Sequence, residues 1–380
     1  MILLAYSVLI TIAWIGACIY LLVNSRKIAY LKNVSLPSNL SEPSVAIIVA
    51  VKDEEREVEQ ALMSVCKLNY TNYKIVVIND RSTDRTPEIL QRIAQKNPSI
   101  SVITIKDLPP GWLGKNHALY QGYLASSEEW LLFTDADIVY KTTALKKAIS
   151  YAIRHGLDHL TALPEITSPS SLFKSVMNTF AMMLEIRLRP WSARDPSSSA
   201  YIGVGAFNLV RRSAYEKAGT HIPISLRPDD DLQLAQRIKE SGCRQDVVYG
   251  EQEISLAWYN NLHEFVKGLM KNTFSVANYF LPTAIGMAIV TFVVFVMPIP
   301  VLLFHGLTGM LMAISILLSQ ILLMLFKKGV HGKWWHALMI PFAGLIMIFI
   351  ILKSAFKTIK NGGIYWRDSF YPLEELKKQR

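Results

Sequence analysis

The sequence predicts an α/β domain with a parallel β-sheet, placed between apolar segments that are long enough to cross a membrane. Two observations support this fold class. Between residues 45 and 134, apolar runs of strand length alternate with segments of helical periodicity, and this order of elements builds a parallel sheet covered on both faces. In addition, hydrophobic residues make up 51% of the 380-residue chain, which is more than one ordinary soluble domain contains.

Four strands and three helices are predicted in the first half of the α/β domain. Each strand is a short apolar run, as in a strand buried on both faces, and each helix has apolar residues three and four positions apart. The predicted strands cover residues 45–51, 74–79, 101–105 and 130–134, and the predicted helices cover residues 58–65, 87–95 and 116–125.

The two ends of the chain are predicted to lie in the membrane. Residues 1–23 contain no charged side chain and are long enough to span a bilayer as a helix. A secretory signal peptide is the alternative, but the segment has no basic n-region and is longer than a usual h-region, which favours an uncleaved anchor. Three further apolar stretches cover residues 281–304, 307–326 and 335–352.

These segments predict four parts of the chain. They are an N-terminal transmembrane anchor at 1–23, an α/β domain at 24–279, C-terminal transmembrane helices at 280–352 and a basic membrane-proximal tail at 353–380. Arg26, Lys27 and Lys32 directly follow the anchor, so the positive-inside rule predicts a multi-pass protein of the cell membrane with the α/β domain in the cytosol.

The C-terminal stretches leave the topology open. Three complete crossings would place the C-terminus outside the cell, whereas the many basic residues after residue 352 favour the inside. One stretch is therefore expected to be re-entrant or interfacial, and residues 281–304 are the first candidate because Pro298 and Pro300 interrupt a helix there.

The positive charge of the chain is concentrated near the membrane. Lys and Arg outnumber Asp and Glu by 30 to 27 in residues 24–279 and by 10 to 3 in residues 280–380, for a net charge of +10. This distribution indicates contact with anionic lipid headgroups. It argues against nucleic acid as a partner, and no nucleic-acid-binding motif occurs in the sequence.

Carboxylates follow three of the four predicted strands. Asp53 and Glu54 follow the first strand, Asp80 the second, and Asp135 and Asp137 the fourth. Since ligands of open α/β sheets bind outside the carboxyl ends of the strands, these side chains are expected to converge on one crevice. Two carboxylates one residue apart stay ionised when a divalent cation or basic groups lie beside them. An isolated Asp-x-Asp is otherwise a solvated turn.

Four further segments have both a functional and a structural interpretation. LPPGWLGKNHAL (108–119) combines glycines, Lys115 and a helix start, which suits a phosphate, and GVGAFNLVRR (203–212) allows the backbone to approach a ligand or simply to bend. The carboxylates of 229–231 either cap a helix or provide a catalytic base. Residues 172–190 are apolar but carry four charges, so they form either an interfacial helix or a core helix.

The motifs described above, taken in their order along the chain, resemble those of the family 2 glycosyltransferases. These enzymes have the nucleotide-diphospho-sugar transferase fold called GT-A. The likeness runs from about residue 44 to 280. Within that family, the anchor, the C-terminal helices and GGIYWR (362–367) are most similar to bacterial membrane enzymes that glycosylate hopanoid or carotenoid lipids. The motifs are DE (53–54), NDRSTD (79–84), GK (114–115), DAD (135–137), GxG followed by RR (203–212) and DDxxLxxR (230–237).

The resemblance implies a role for each matching residue. Asp137 would bind the cation, Mg²⁺ or Mn²⁺, that bridges the diphosphate. Asp231 would be the base that deprotonates the acceptor hydroxyl, and Asp230 would orient it. The nucleotide-sugar would contact Asp53, Glu54, Asp80, Lys115, Asp135, Gly205 and Lys271.

One motif departs from the family pattern. The Gln-x-x-Arg-Trp signature of the family falls where this chain reads GLMKN, so Gly268, Lys271 and Asn272 replace its three defining residues. Lys271 can still meet a phosphate as a point charge, without the two-pronged geometry of arginine. The missing tryptophan argues against processive polymer synthesis and favours the addition of one sugar.

The resemblance therefore implies an inverting, metal-dependent transferase that moves one sugar, expected to come from a UDP-sugar, to a lipid acceptor at the membrane. A transferase acting on a polyprenyl phosphate is the main alternative. The string DADIV also fits the nucleophile loop of haloacid-dehalogenase phosphatases, which react through an aspartyl-phosphate. A non-catalytic membrane scaffold is the remaining alternative, and it predicts no affinity for nucleotides.

Overall fold

The computed structural model describes residues 2–37, 42–168, 170–259, 261–302, 306–366 and 369–377. Its centre is an eight-stranded mixed β-sheet. The strands are β1 (Ala29–Tyr30), β2 (Val45–Val51), β3 (Tyr73–Asp80), β4 (Ile100–Ile105), β5 (Trp130–Thr134), β6 (Ile138–Tyr140), β7 (His159–Leu163), β8 (Glu165–Ile166), β9 (Asn208–Arg211), β10 (Gln245–Tyr249), β11 (Ile254–Leu256), β12 (Gly363–Trp366) and β13 (Ser369–Pro372).

Helices cover the sheet and extend from both ends of the chain. They are α1 (Ile2–Ser25), α2 (Val58–Val65), α3 (Thr86–Lys96), α4 (Gly114–Leu124), α5 (Ala144–Arg154), α6 (Ser171–Leu188), α7 (Arg212–Lys217), α8 (Asp230–Glu240), α9 (Leu262–Val276), α10 (Leu281–Thr291), α11 (Pro298–Leu302), α12 (Gly306–Phe326), α13 (Ile340–Lys360) and α14 (Leu373–Lys377).

The sheet has the strand order β1-β10-β7-β9-β5-β2-β3-β4. The four strands predicted from the sequence are present and parallel to one another, with β2 between β5 and β3 and with β4 beside β3. The sheet as a whole is mixed, because β9 runs antiparallel to both β5 and β7. Two smaller sheets have the orders β6-β11-β8 and β12-β13.

The carboxyl ends of β2, β3 and β5 lie side by side. Their registers pair Val49 with Val77 and with Thr134, so the three strands end within three residues of one another. All three strands are apolar and buried, with helices packed on both faces, as expected for parallel strands at the centre of a sheet. The residues that directly follow these strands therefore meet at one edge.

Within the described residues, three helices are long and apolar enough to cross a membrane. They cover Leu3–Ser25, Gly306–Phe326 and Trp334–Lys360. The apolar stretch predicted at 281–304 is not one continuous α-helix: α10 passes into a π-helical segment at Phe292–Val296, and α11 begins at Pro298. The last two residues of that stretch lie outside the described parts of the chain.

Helix α6 has a packed face and an exposed face. Phe173, Val176 and Met177 are buried against α9 and α13, as in a core helix. Leu184 and Ile186 are exposed, as the interfacial alternative requires. Because α13 is one of the three long apolar helices, α6 connects the sheet domain to the segments predicted to lie in the membrane.

The chain after α13 folds back on the α/β domain. The hairpin β12–β13 and α14 pack through Ile364, Tyr371 and Leu376 in a cluster that includes Leu113 and Phe274. The described residues of the predicted basic tail therefore end against the sheet domain.

Candidate active site

A cavity of about 340 Å³ opens at the carboxyl ends of β2, β3 and β5. Five of the residues predicted from the sequence to bind the donor or the metal are on its wall. The wall consists of Ala50, Val51, Lys52, Glu54, Asp80, Arg81, Gly114, Lys115, Asp135, Ala136, Asp137, Leu256, Trp258, Tyr259, Gly268 and Tyr371.

A narrow recess of about 10 Å³ adjoins this cavity and shares Lys115 and Asp135 with it. Its volume is that of a single water molecule. The predicted catalytic residues Asp230 and Asp231 lie in this recess together with Gly205. The structure therefore brings the acids of the strand ends and those of α8 to one place, with Lys115 between them.

Lys115 is bound by carboxylates on two sides. Its Nζ lies 2.8 Å from Oδ1 of Asp135 and 3.5 Å from Oδ1 of Asp230. Burial alone would lower the pKa of Lys115, but the charges of Asp135, Asp230 and Asp231 more than offset it and raise that pKa. The ammonium group is therefore a fixed positive charge at the mouth of the sheet.

The two acids of α8 have different partners: Asp231 is bound by backbone N–H groups, whereas Asp230 lies near Lys115. The Asp231 carboxylate accepts hydrogen bonds from the backbone N–H groups of Gly205 and Leu232, both at 2.7 Å. Burial raises the pKa of Asp231 and raises that of Asp230 to about 7, although Lys115 opposes both shifts. Carboxylates with raised pKa values are suited to accept a proton near neutral pH.

Asp137 has a buried oxygen without a partner. Its Oδ1 is hidden from solvent and has no hydrogen bond within the described residues. Burial, followed by the negative charges of Asp135 and Glu54, raises the pKa of Asp137 to about 7. A buried carboxylate oxygen of this kind fits a cation, because it is costly to leave unpaired. The described residues contain no group of three or more His, Cys, Asp or Glu side chains that could hold a metal by themselves.

Asp80 is paired with its neighbour in the chain. Arg81 donates from Nε and from one terminal nitrogen to the two carboxylate oxygens of Asp80, at 2.7 and 3.0 Å. Gly114 lies against this pair, since a Cβ at Gly114 would overlap Oδ2 of Asp80. Glycine is therefore required at the position before Lys115 for Asp80 to lie where it does.

Asp53 is not on the wall of the cavity, unlike Glu54. Its Oδ1 accepts a hydrogen bond of 2.7 Å from the backbone N–H of Thr83, and its own N–H donates to Oγ of Ser82. Asp53 also has a positive φ of 51°, a conformation that Asp and Asn adopt more readily than other residues with a side chain. In this structure Asp53 positions the loop after β3, and its predicted contact with the nucleotide stays a prediction.

One predicted side chain lies outside the described residues, and one part of the site was not predicted from the sequence. The side chain of Lys271 lies outside the described residues, so its predicted phosphate contact has no structural description. Trp258, Tyr259 and Tyr371 form an aromatic wall of the cavity. No local sequence signal marks these three residues, because distant segments bring them to the cavity.

Part of the chain matches a known protein family. Residues 46–219 match the family described as Glycosyl transferase family 2. The chain contains a family 2 glycosyltransferase domain. This domain holds the strand ends that carry Asp80, Asp135 and Asp137.

The relatives differ in how much of the chain they match. It is 31% identical over 221 residues to poly-beta-1,6-N-acetyl-D-glucosamine synthase of Staphylococcus aureus strain COL, which covers 57% of this chain and 51% of the synthase. The chain thus spans about half the length of that relative. It is 21% identical over 366 residues to 4,4'-diaponeurosporenoate glycosyltransferase of S. aureus strain N315, covering 94% and 95% of the two chains.

A solved structure confirms the predicted GT-A fold of the chain. The mannosyltransferase PcManGT from Pyrobaculum calidifontis, determined in complex with GDP-Man and Mn²⁺, superposes with a TM-score of 0.55 at 16% identity. The superposition covers 94% of this chain and 99% of that chain. At this identity the likeness concerns the fold.

Proposed function

We propose that the chain is an inverting, metal-dependent glycosyltransferase that moves one sugar from a nucleotide-diphosphate sugar to a lipid at the membrane. The observation that carries this proposal is the convergence of Asp80, Asp135 and Asp137 on one cavity beside Lys115. A family 2 domain occupies residues 46–219, and a solved protein of the same fold binds GDP-Man. A UDP-sugar is the expected donor.

The residues at the end of β5 fit a divalent cation. Asp137, with its buried and unpaired oxygen, and the adjacent Asp135 would hold Mg²⁺ or Mn²⁺, and Mn²⁺ is the ion in the PcManGT complex. The ion would neutralise charge on the diphosphate. The described residues contain no group of three or more side chains that could hold the ion by themselves. The remaining ligands are therefore expected from the donor phosphates and water.

The recess supplies the acid–base chemistry. The acceptor oxygen forms a bond to the anomeric carbon, while the bond from that carbon to the distal phosphate oxygen breaks and its electron pair stays on the phosphate. The Asp231 carboxylate, which is held in place by the N–H groups of Gly205 and Leu232, takes the proton of the acceptor hydroxyl. A single displacement of this kind inverts the anomeric centre.

A lipid acceptor is supported by the helices around the domain and by one relative. Three helices have the length and composition to cross a membrane, and the relative that matches 94% of this chain is named for the carotenoid acid 4,4'-diaponeurosporenoate. Arg26 and Lys27 directly follow α1, which favours a cytosolic position of the domain.

Two alternatives to a neutral lipid acceptor can be separated by experiment. The synthase relative makes a polymer, but Gly268 and Asn272 replace the family residues associated with processive synthesis. A polyprenyl phosphate reacts through an oxygen that is already anionic, so it needs no strong base. Loss of transfer in Asp231→Asn, with nucleotide affinity unchanged, would support a hydroxyl acceptor and count against a polyprenyl phosphate. The phosphatase alternative is not supported by the GT-A fold.

The proposal is tested with inverted membrane vesicles that contain the protein. The vesicles are incubated with Mn²⁺ and a panel of radiolabelled UDP- and GDP-sugars, and label is followed into the lipid extract. One labelled sugar should enter a lipid product, one residue per lipid, and an excess of chelator should stop the transfer. Absence of label from the lipid extract with every donor, or full transfer in chelator, would contradict the proposal.

A further inference from the structure

The aromatic wall of the cavity contains a hydrogen-bond donor that faces the acidic residues. Tyr259 lies on the wall shared with Asp135 and Asp137. Its ring is fixed by neighbouring aromatic rings, at 5.2 Å from Trp258 and 5.8 Å from Phe265 between ring centroids. The position of its hydroxyl is therefore set by packing.

Gly268 makes the space for this tyrosine. A Cβ at Gly268 would overlap the Tyr259 hydroxyl oxygen and lie 2.7 Å from Cε1 of the ring. Any side chain at position 268 would therefore displace the phenol. Gly268 is one of the positions at which this chain departs from the family signature. This departure provides the space that the Tyr259 phenol occupies.

The charges around the Tyr259 hydroxyl favour its protonated form. Burial, followed by the negative charges of Asp137 and Asp135, raises the pKa of Tyr259 to about 12. The phenol is thus a neutral O–H donor at physiological pH. Lys115 and Arg81, two other donors on the wall, are already bound to Asp135 and Asp80.

We propose that Tyr259 donates a hydrogen bond to the distal phosphate of the nucleoside diphosphate, and that Gly268 is the residue that permits it. The inference rests on the proposed function, because the carboxylates that face Tyr259 are those assigned to the cation on the diphosphate. A donor at this position stabilises the charge that the phosphate gains when the bond to the sugar breaks. Tyr259 is a donor-binding residue of the transfer reaction.

The test compares nucleoside diphosphate with monophosphate, which lacks the distal phosphate. Calorimetry on the full chain in detergent with Mn²⁺ measures affinities for UDP and UMP, and for GDP and GMP, and the base that wild type binds more tightly is used. Tyr259→Phe keeps the ring and its packing. It should weaken diphosphate binding about 10-fold, as expected for one hydrogen bond to a charged group, and leave monophosphate binding unchanged.

Gly268→Ala should give the same selective loss, because it displaces the phenol. Gly286→Ala is the matched control, since a Cβ at this helical glycine meets nothing within 4 Å, and it should bind both nucleotides like wild type. Equal diphosphate affinity in wild type and Tyr259→Phe, or an equal loss of affinity for both nucleotides, would overturn the inference but not the proposed function. A wild-type protein that binds no nucleoside diphosphate would overturn both the inference and the proposed function.

Discussion

Asp137 is the residue whose environment in the structure supports the proposed chemistry most directly. A carboxylate that is buried beside Asp135 and Glu54, with one oxygen unpaired, is unfavourable for the folded chain when no cation is bound. The same arrangement favours a divalent cation, because the ion satisfies the oxygen and neutralises the repulsion. Under the proposed function, the cost in stability without the ion would accompany affinity for the ion.

This cost should appear in the pH dependence of stability. The pKa of Asp137 is about 7 in the folded state and about 4 in an unfolded chain. The folded state therefore binds the proton more tightly, and the destabilisation grows as pH rises from about 4 and is complete above about 7. In metal-free buffer, Asp137→Asn should raise the thermal unfolding midpoint, and by more at pH 8 than at pH 5.

Scanning fluorimetry in chelator measures these midpoints. The exposed Asp107 provides the matched control, because Asp107→Asn removes the same charge without a buried partner and should leave the midpoint unchanged at both pH values. An Asp137→Asn midpoint equal to or below that of wild type at pH 8 would contradict the assignment of Asp137 as a buried, uncompensated charge.

At the scale of the elements, the loop before β9 brings the two halves of the site together. A Cβ at Gly205 would lie 2.6 Å from Oδ2 of Asp135 and 3.2 Å from Nζ of Lys115. A Cβ at Gly203 would overlap the backbone oxygen of Asp231. Small residues at both positions allow the backbone to pass between β5 and α8.

Gly205→Ala should therefore reduce sugar transfer and leave the fold intact. The methyl group must displace the ends of two side chains, which moves Asp135 away from the position next to Lys115. Misplacement of this size is expected to lower the rate about 100-fold. Gly16→Ala in α1, where a Cβ meets nothing within 4 Å, is the control. Transfer at the wild-type rate in Gly205→Ala would show that the loop does not position Asp135.

A buried ion pair connects α6 to the end of α12. Nζ of Lys327 lies 2.7 Å from Oε2 of Glu185, and the two side chains are 1% and 11% exposed. Replacing Lys327 by methionine leaves a carboxylate buried without its partner, which is expected to cost about 3–5 kcal/mol of unfolding free energy. Lys327→Met should therefore lower the denaturation midpoint strongly.

The double variant Glu185→Met with Lys327→Met should recover much of this loss, because no charge is left buried. Lys333→Met, at an exposed lysine beyond the same helix, should change stability little. Denaturation curves of wild type, Glu185→Met, Lys327→Met and the double variant form a double-mutant cycle. A small effect of Lys327→Met would show that the pair does not hold the sheet domain against the apolar helices.

At the scale of the whole molecule, the sequence predicted the elements whose signal is local. The strands β2 and β5 begin and end at the predicted residues, β3 extends its prediction by one residue at each end, and β4 begins one residue early. Continuous apolar runs identify such doubly buried strands. Their order along the chain also predicted that the acids following them would meet at one edge.

The strands of the second half were not predicted, because their polar residues resemble a loop. In the structure these groups are buried and satisfy one another. His159 of β7 is hydrogen-bonded to Asn208 of β9, and Gln245 of β10 lies 2.8 Å from the other ring nitrogen of His159. Such partners come from distant segments of the chain, so the local sequence pattern does not reveal them.

The aromatic wall could not be predicted for the same reason. Trp258 and Tyr259 precede α9, whereas Tyr371 lies in a hairpin more than 100 residues later. Packing of α9, the hairpin and Leu113 on one another brings them to the cavity. In contrast, the donor-site acids are fixed by the topology of the sheet, which a few strong strand signals are enough to define.

The most direct test of the account is the metal dependence of nucleotide binding. Calorimetry measures the affinity of the full chain for UDP and GDP with Mn²⁺ and in chelator, for wild type and Asp137→Asn. Wild type should bind one of the two nucleotides at least about 10-fold more tightly with Mn²⁺, and Asp137→Asn should lose this gain. Equal affinity with and without the metal, or an undiminished gain in Asp137→Asn, would contradict it.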